Sequence, residues 1–419
     1  MRFLHISDLH IGKRVSEFSM IGEQKYILEQ ILDIARESQV QGVLIAGDIY
    51  DRQSPSAEAV QVFDWFLTSL ADQGKKVFVV SGNHDSPERL SFGAQLMRGR
   101  QVYVAGVYDG QALRVRLEDE YGALWVHLLP FLKPAVMRYV LEKEAGALGE
   151  EPFETEAAEP DRADAGASGR VQMQDGRIKI PETYQEAVFL AVSRMETDRT
   201  QRNILVAHQF VTGAGRCESE EVSVGGLDNV DAEIFDGFDY VALGHIHSPQ
   251  WVGRESVRYC GTPLKYSFSE AEQDKSVTIV TLKEKGNLEL ATIPLRPLHD
   301  LRRIRGTYME VTSPAFYREG PDREDYLQIT LTDEEDVIDG FMKLRTIYPN
   351  LMRLAYDNSR TRQDQTLETA REPERKSELE LFEEFYELQN NRPMSGQQRE
   401  FVRELIESCL ETDKNGGKA

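Results

Sequence analysis

Short apolar runs alternate with amphipathic stretches along the first part of the 419-residue chain. Between the apolar runs at 3–7 and 42–46, Ile27, Ile31 and Ile34 recur at helical spacing. This strand–helix–strand alternation predicts an α/β fold. Later strands are less regularly separated by helices, which predicts a second sheet packed on the first. The predicted strands lie at residues 3–7, 42–46, 77–80, 102–105, 125–129, 204–207, 240–243, 257–260 and 276–282.

A small, separate α+β module is predicted at residues 286–356. Residues 326–331 alternate like a half-buried strand, and residues 351–356 are typical of a returning strand. Between them, Thr332 and Glu335 form a capping-box pattern. That pattern predicts a helix carrying the apolar residues Val337, Ile338, Phe341 and Leu344.

Three further segments are unsuited to a packed core. Residues at about 145–180 include an acidic stretch with almost no large apolar groups, which predicts a solvated surface insertion. Residues 357–376 are typical of a linker, and residues 411–419 of a disordered tail. Two helices are predicted at 377–410. Their apolar stripes favour docking on a partner, with packing back onto the body as the alternative; the residues expected to contact the partner are Phe382, Phe385, Phe401 and Leu405.

Composition narrows the class of protein. Hydrophobic residues make up 40% of the chain and charged residues 29%, which excludes a wholly disordered chain, a collagen and a membrane bundle. Three scattered cysteines, no signal-peptide pattern and no apolar run near the roughly 18 residues of a membrane helix predict a cytoplasmic protein with no membrane association. The net charge of −22 argues against a wide nucleic-acid surface on this chain alone, but not against a small site charged by metal ions.

Five of the apolar runs are followed at once by metal-binding types of side chain. In open α/β sheets, ligands bind beyond the carboxyl ends of the strands, so five separate segments are expected to meet at one point. The motifs contain five of the eight histidines. In chain order, the residues are Asp8 and His10; Asp48 and Asp51; Asn83, His84 and Asp85; His208; and His245 and His247.

This mixture of imidazole, carboxylate and amide groups suits Mn²⁺, Fe²⁺ or Zn²⁺. There are too many candidate ligands for one tetrahedral ion and about the right number for two ions that share a carboxylate, the arrangement of many phosphatases and nucleases. Taken singly, Asp-x-His and Gly-Asp-x-x-Asp are ordinary turn sequences. The metal centre is predicted by all five motifs together, each at a strand end.

In this order, the five motifs resemble those of the calcineurin-type metallophosphoesterase superfamily. More narrowly, residues 83–90 and 261–270 resemble the bacterial nuclease subunits that act with an SbcC-type coiled-coil ATPase. The resemblance covers nearly the whole chain. It implies a two-sheet metallophosphoesterase sandwich flanked by helices at 1–285, the α+β C-terminal (capping) domain at 286–356, and a terminal helix pair that binds the ATPase.

The resemblance also implies individual roles. One ion would be held by Asp8, His10, Asp48 and His247. The other would be held by Asp48, Asn83, His208 and His245, with Asp48 bridging. Both ions are expected to be Mn²⁺, and His84 is expected to face the scissile phosphate as the catalytic residue. Asp51 keeps an open role. Candidate DNA contacts, for which ordinary surface or packing roles are the alternative, are Lys13, Arg14, Tyr50 and Arg89.

The function implied is a metal-dependent DNA nuclease subunit of an SbcC–SbcD complex. It would act as a 3′→5′ double-strand exonuclease and a single-strand or hairpin endonuclease in repair and recombination, as a homodimer within a heterotetramer. The sequence contains no P-loop, so any ATP dependence must come from the partner. Two alternatives remain: a stand-alone phosphodiesterase or phosphatase, which would be indifferent to the ATPase, and a scaffold with a decayed site, which should have lost ligands.

Overall fold

The computed structural model describes residues 1–148, 180–215, 229–319 and 323–359, with short pieces at 173–174, 177–178, 217, 219–220, 361, 394–395, 398–399 and 402. The predicted ATPase-binding residues Phe382, Phe385, Phe401 and Leu405 lie outside the described residues, as do the predicted tail and most of the predicted linker and acidic insertion. The chain divides into two units. One comprises Met1–Thr330 with Asp339–Ala355, and the other comprises Leu331–Ile338 with Tyr356–Ala419.

The elements follow the alternation of the sequence. The strands are β1 (Arg2–Ile6), β2 (Arg14–Val15), β3 (Phe18–Ser19), β4 (Gly42–Ala46), β5 (Lys76–Val80), β6 (Val102–Ala105), β7 (Leu113–Asp119), β8 (Gly122–Leu129), β9 (Met173–Gln174), β10 (Arg177–Ile178), β11 (Arg202–His208), β12 (Tyr240–Gly244), β13 (Gln250–Val252), β14 (Arg254–Tyr259), β15 (Ser276–Leu282), β16 (Leu288–Pro294), β17 (Leu301–Gly306), β18 (Tyr326–Leu331) and β19 (Leu351–Tyr356). The α-helices are α1 (Ile21–Glu37), α2 (Ala57–Asp72), α3 (Pro87–Leu90), α4 (Ala94–Met97), α5 (Pro134–Leu148), α6 (Tyr184–Ser193), α7 (Tyr308–Val311), α8 (Pro314–Glu319) and α9 (Gly340–Arg345).

Two six-stranded sheets form the larger unit. The first has the order β16-β15-β1-β4-β5-β6, and the second has the order β13-β14-β12-β11-β8-β7. Strands β1, β4, β5 and β6 run parallel to one another, as do β8, β11, β12 and β14. All nine strands predicted from the sequence are present, with ends that shift by a few residues, and the second sheet is confirmed.

Apolar side chains pack in three layers around these sheets. Successive residues of a strand point to opposite faces. Along β11, Ile204 and Val206 therefore face the cluster between the sheets, whereas Leu205 and Ala207 face the cluster under α5 and α6. The first sheet packs its other face against α1 and α2. The result is a helix–sheet–sheet–helix sandwich, in which each fully buried Leu, Ile, Val or Phe contributes about 1.5–3 kcal/mol to folding.

The C-terminal module differs from its prediction at one helix. A three-stranded sheet of β17, β18 and β19 is present, and both strands predicted there have the predicted bounds. The helix predicted from Thr332 is wrong, because α9 begins only at Gly340. Its N-cap residue, Asp339, has a left-handed backbone (φ 54°), which no continuous helix can contain. Ile338 precedes the helix and is 80% exposed.

Helix α5 was not predicted, and its last turn covers residues 145–148, the start of the predicted insertion. Among the helices of the described part of the chain, none combines the length and the apolar character that a bilayer crossing requires.

Candidate metal centre

Five strand ends meet at one edge of the sandwich. In the first sheet, Asp8, Asp48 and Asn83 follow β1, β4 and β5, which are parallel and therefore end on the same side. In the second sheet, His208 closes β11 and His245 follows β12. His208 has the same parity as Ile204 and Val206, so its ring faces the first sheet. There it contacts the Ala46 carbonyl, with Nδ1 2.9 Å from the oxygen.

Asp48 lies at the centre of this cluster. Its Oδ2 atom is 3.4 Å from Nε2 of His208, 3.7 Å from Nε2 of His10 and 3.9 Å from Nε2 of His84. Its Oδ1 atom accepts a hydrogen bond from the backbone N–H of His84 at 2.9 Å. A buried carboxylate that faces three imidazoles is the geometry expected of a group shared between two ions.

The remaining candidate ligands lie on two sides of Asp48. On one side, ligand atoms of Asp8, His10 and His247 lie within 4.8 Å of one another, and the two Nε2 atoms of His10 and His247 are 3.2 Å apart. On the other side, the Oδ1 atom of Asn83 is 3.0 Å from Nε2 of His208 and 3.0 Å from Nδ1 of His245. The structure therefore brings all seven predicted ligands together.

The donors of this cluster fit divalent cations. His208 Nδ1 must carry a proton, because the Ala46 carbonyl can only accept a hydrogen bond. In a neutral ring, the Nε2 lone pair would then face the Asn83 oxygen, which is also an acceptor. On the other side of Asp48, Nε2 of His10 faces Nε2 of His247 at 3.2 Å. Acceptors that converge on one point need a positive charge between them, and the mixed N and O set suits a divalent transition ion.

The same need for positive charge is visible in the pKa values of the cluster. Burial, reinforced by Asp48 and opposed by His208, raises the pKa of Asp8 to about 7. Burial alone would lower the pKa of His208, but Asp48 and Asp8 outweigh it and raise that pKa to about 9. Burial would raise the pKa of Asp48, but His208 and His10 outweigh it and hold that pKa well below its usual range. Without cations, the positive charge comes from protons held on Asp8 and on the His208 imidazole, while Asp48 stays ionised.

Metal binding should therefore strengthen as the pH rises from 6 to 9. A ligand must lose its proton to bind an ion, and Asp8 and His208 lose theirs near pH 7 and pH 9. Titration calorimetry of Mn²⁺ in two buffers of different ionisation enthalpy should show proton release, largest at the lowest pH. An affinity for Mn²⁺ that does not change between pH 6 and pH 9 would contradict this coupling.

Backbone strain is concentrated in the cluster. Nine non-glycine residues in the described part of the chain have positive φ, and four of them are Asp8, His10, Asp48 and His245. Such backbone is uncommon for non-glycine residues and is often found at functional sites. The cluster is also tightly packed at Gly82, where a Cβ would overlap the Asp48 carboxylate. These loops are shaped to aim side chains at one point.

Asp85 has a structural role in the site that its motif alone does not predict. Its carboxylate accepts hydrogen bonds from the backbone N–H groups of Ile49 at 3.1 Å, Tyr50 at 3.0 Å and Gly82 at 2.9 Å. It therefore joins the loop after β4 to the loop after β5. The Gly-Asn-His-Asp motif contained the signal, since a buried acidic residue after a turn commonly caps backbone N–H groups.

Replacing Asp85 with alanine should lower the free energy of unfolding by about 2–4 kcal/mol, because three buried N–H groups lose a charged acceptor. The measurement is urea denaturation with EDTA at pH 8, where Asp85 is ionised; its pKa is raised to about 6 by burial and by Asp48. Asp72→Ala, which removes an exposed ion pair with Arg100, is the control and should change little. Equal losses in the two variants would contradict the assigned role.

His84 and Asp51 lie at the open side of the cluster. The side chain of His84 is 17% exposed, whereas those of His10 and His208 are fully buried. Nδ1 of His84 lies 3.1 Å from the Asp51 backbone carbonyl, to which it must donate. The Asp51 carboxylate pairs with Lys13 at 2.8 Å. Asp51 thus orients His84 through its backbone, and its side chain holds Lys13.

The candidate DNA contacts surround this opening. Arg14 and Asp51 line a groove of about 380 Å³ beside the cluster. Lys13 is only 15% exposed, since it pairs with Asp51. Arg89 is exposed and donates to Ser54 Oγ at 2.8 Å. Tyr50 packs edge-on against Phe63, with ring centroids 5.7 Å apart.

Comparison with known families assigns this fold and site to a class. The family model described as calcineurin-like phosphoesterase matches residues 1–249, more than half of the 419 residues. The chain therefore belongs to the calcineurin-like phosphoesterase family, and the resemblance carried by the five motifs is confirmed. A second model, described as the type 5 capsule protein repressor C-terminal domain, matches residues 297–390.

A curated protein is similar to this chain over its full length. The chain is 27% identical over 426 residues to the D subunit of nuclease SbcCD from Staphylococcus epidermidis, a match that covers 99% of this chain and 100% of that protein. Among solved structures, TT1561 of Thermus thermophilus has a TM-score of 0.36 at 13% identity over 70% of this chain and 98% of its own. A dimetal phosphatase from Danio rerio has a TM-score of 0.39 at 14% identity over 71% of this chain and 99% of its own. These two structural similarities are too weak to carry an argument, so the assignment rests on the family model.

Proposed function

We propose that the protein is the nuclease subunit of an SbcC–SbcD complex and hydrolyses DNA phosphodiester bonds with two divalent ions, preferably Mn²⁺. The observation that carries this proposal is the position of the Asp48 carboxylate, within 4 Å of three imidazoles and beside the more exposed His84. The full-length similarity to a nuclease subunit supports DNA as the substrate. The activity would be 3′→5′ exonucleolytic on duplex ends and endonucleolytic on single strands and hairpins, in the cytoplasm.

The seven clustered side chains would hold the ions. Asp8, His10 and His247 would form one side, and Asn83, His208 and His245 the other, with Asp48 shared. Ions held by these residues would neutralise phosphate oxygens and lower the pKa of bound water. The left-handed loops keep the ligands preorganised, so little reorganisation is needed when the substrate binds.

His84 would act on the leaving oxygen. Because its Nδ1 proton is committed to the Asp51 carbonyl, a second proton on Nε2 makes the ring an imidazolium. That ring can donate its Nε2 proton to the departing oxygen of the cleaved strand. Its greater exposure would allow contact with a phosphate that the buried ligands cannot touch directly.

A coiled-coil ATPase partner would complete the activity. The chain carries a net charge of −22 and no P-loop, so ATP binding and much of the positive surface for duplex DNA would come from that partner. The terminal helices predicted at 377–410, with Phe382 and Phe385 on the first and Phe401 and Leu405 on the second, would provide the docking surface.

A second copy of the chain would cover the apolar surface after the Gly-Asn-His-Asp motif. Phe92 and Leu96 are each 86% exposed, the most of any large apolar side chain in the described part of the chain. Burying each contributes about 2 kcal/mol, so a Phe92→Glu/Leu96→Glu double variant, which removes about 4 kcal/mol from each of the two subunits, should weaken self-association by more than about 1,000-fold. Analytical ultracentrifugation measures this. Met309→Glu, at another exposed apolar residue, should leave the dimer intact, and a dimer that tolerates the double variant would contradict the assignment.

The test of the function uses a labelled DNA hairpin, with and without Mn²⁺ and with and without the SbcC-type ATPase plus ATP. The proposal predicts cleavage that requires Mn²⁺ and rises when the ATPase is present. The matched substrate is a small phosphodiester such as bis(p-nitrophenyl) phosphate. Robust turnover of that compound, with no DNA cleavage in any mixture, would overturn the nuclease proposal in favour of a stand-alone phosphodiesterase.

A further inference from the structure

A buried chain of hydrogen bonds supports the imidazole of His247 from behind. Nδ1 of His247 is 2.7 Å from Oγ of Ser219, and that hydroxyl is 2.6 Å from Oε1 of Glu270. Oε2 of Glu270 in turn accepts from Nζ of Lys275 at 2.6 Å. Glu270 is fully buried, and Lys275 is 4% exposed. These three residues, the Ser219–Glu270–Lys275 relay, are absent from the ligand set.

The direction of each hydrogen bond follows from the groups that take part. A carboxylate can only accept, so the single hydroxyl proton of Ser219 goes to Glu270. The Ser219 oxygen must then accept from His247, which places the ring proton on Nδ1. Nε2 is left with its lone pair, and this atom is the one that faces His10 at 3.2 Å. The relay thus selects the tautomer in which His247 can bind a cation.

Lys275 holds the same histidine at a second point. Its Nζ donates to the His247 backbone carbonyl at 2.9 Å as well as to Glu270. The relay therefore closes a loop from the imidazole, through a hydroxyl and an ion pair, to the backbone of the same residue. An ion pair buried this deeply carries a desolvation penalty and is weak evidence of a stabilising role alone.

We propose that the Ser219–Glu270–Lys275 relay is a positioning device that fixes the tautomer and orientation of His247 and so sets the affinity of one ion, the one shared by Asp8, His10 and His247. This inference rests on the proposed role of His247 as a ligand. The described hydrogen bonds of the relay end on His247, which lies on the same side of Asp48 as Asp8 and His10. The ion on the other side should therefore be much less affected.

The test compares Ser219→Ala with Ser267→Ala. Ser267 donates to the same Oε1 atom of Glu270 at 3.1 Å and has no described hydrogen bond to His247, so its replacement removes an equivalent hydroxyl without touching the imidazole. Calorimetry of the full-length chain with Mn²⁺ alone should show one of the two sites weakened about 10- to 100-fold in Ser219→Ala. The other site should stay within about threefold, and both sites should be near wild type in Ser267→Ala and in the rescue variant Ser219→Thr.

A second readout needs no metal. Two-bond ¹H–¹⁵N spectra of the ion-free protein, labelled at histidine, should show His247 protonated at Nδ1 in wild type and Ser267→Ala, and as a mixture of tautomers in Ser219→Ala. If Ser219→Ala keeps both the tautomer of His247 and the two Mn²⁺ affinities, the proposed role of the relay is wrong. The metal centre itself would still be supported in that case if His247→Ala loses one Mn²⁺ site. Two intact sites in His247→Ala would instead overturn the ligand assignment and the inference together.

Discussion

Replacing His84 with alanine should slow DNA cleavage by about 10²- to 10⁴-fold, the usual contribution of a positioned general acid. Mn²⁺ affinity should stay within about threefold of wild type, because the hydrogen bond from residue 84 to Asp48 is made by its backbone N–H at 2.9 Å, which alanine retains, whereas the imidazole is 3.9 Å from the carboxylate. Single-turnover cleavage of a labelled hairpin and calorimetric Mn²⁺ binding measure the two effects.

The control for His84 is His299→Ala. His299 pairs with Glu23 at 2.7 Å and has no described hydrogen bond to the cluster, so its loss should leave both cleavage and metal binding intact. A His84→Ala variant that loses an ion together with its activity would show that His84 is a ligand rather than a group acting on the substrate. A variant that cleaves at the wild-type rate would remove His84 from the mechanism.

Replacing Asp48 with asparagine should abolish activity by removing the shared carboxylate. Asparagine has nearly the same shape, but it presents no negative charge to the imidazoles of His10, His84 and His208. We expect Mn²⁺ affinity to fall by more than about 100-fold, beyond the effect of losing an outer partner. A ligand whose free concentration is 100 times its dissociation constant stabilises the folded protein by about 2.7 kcal/mol. Thermal unfolding with and without Mn²⁺ should therefore show a metal-dependent shift in wild type that disappears in the variant.

Asp33→Asn is the control, since it makes the same change on an exposed residue of α1. The Asp33 carboxylate pairs with Arg36 at 2.6 Å, and both side chains are more than half exposed. This variant should retain the Mn²⁺-dependent thermal shift. If Asp48→Asn also retained the shift, the account of Asp48 as the shared ligand would be wrong.

The sequence predicted the parallel strands and their ends well, because buried strands are continuous apolar runs and the residues after them are polar. Gly42–Ala46 is fully buried and was predicted to the residue. Edge and outer strands were harder. The exposed half of β16 (Leu288–Pro294) and the polar alternation of β7 (Leu113–Asp119) carry little apolar signal. The helix expected from Thr332 failed because its capping pattern is local, whereas the left-handed Asp339 ends any helix before residue 340.

The ligands could be proposed from the sequence because each follows its strand directly. The residues that hydrogen-bond to these ligands from behind could not be predicted from the sequence. Ser219 and Glu270 lie 28 and 23 residues from His247 along the chain, and only the fold brings them to it. Gln24 likewise reaches the His10 carbonyl from α1 at 2.7 Å, 14 residues away. Side chains that act through hydrogen bonds to distant loops leave no periodic pattern in the sequence.

Diffraction from Mn²⁺-soaked crystals at the manganese absorption edge would show whether the five strand ends form one two-ion centre. We expect two anomalous peaks roughly 3.5–4 Å apart, one on each side of the Asp48 carboxylate, with Asn83, His208 and His245 around one and Asp8, His10 and His247 around the other. A single peak, or peaks away from Asp48, would contradict a two-ion centre.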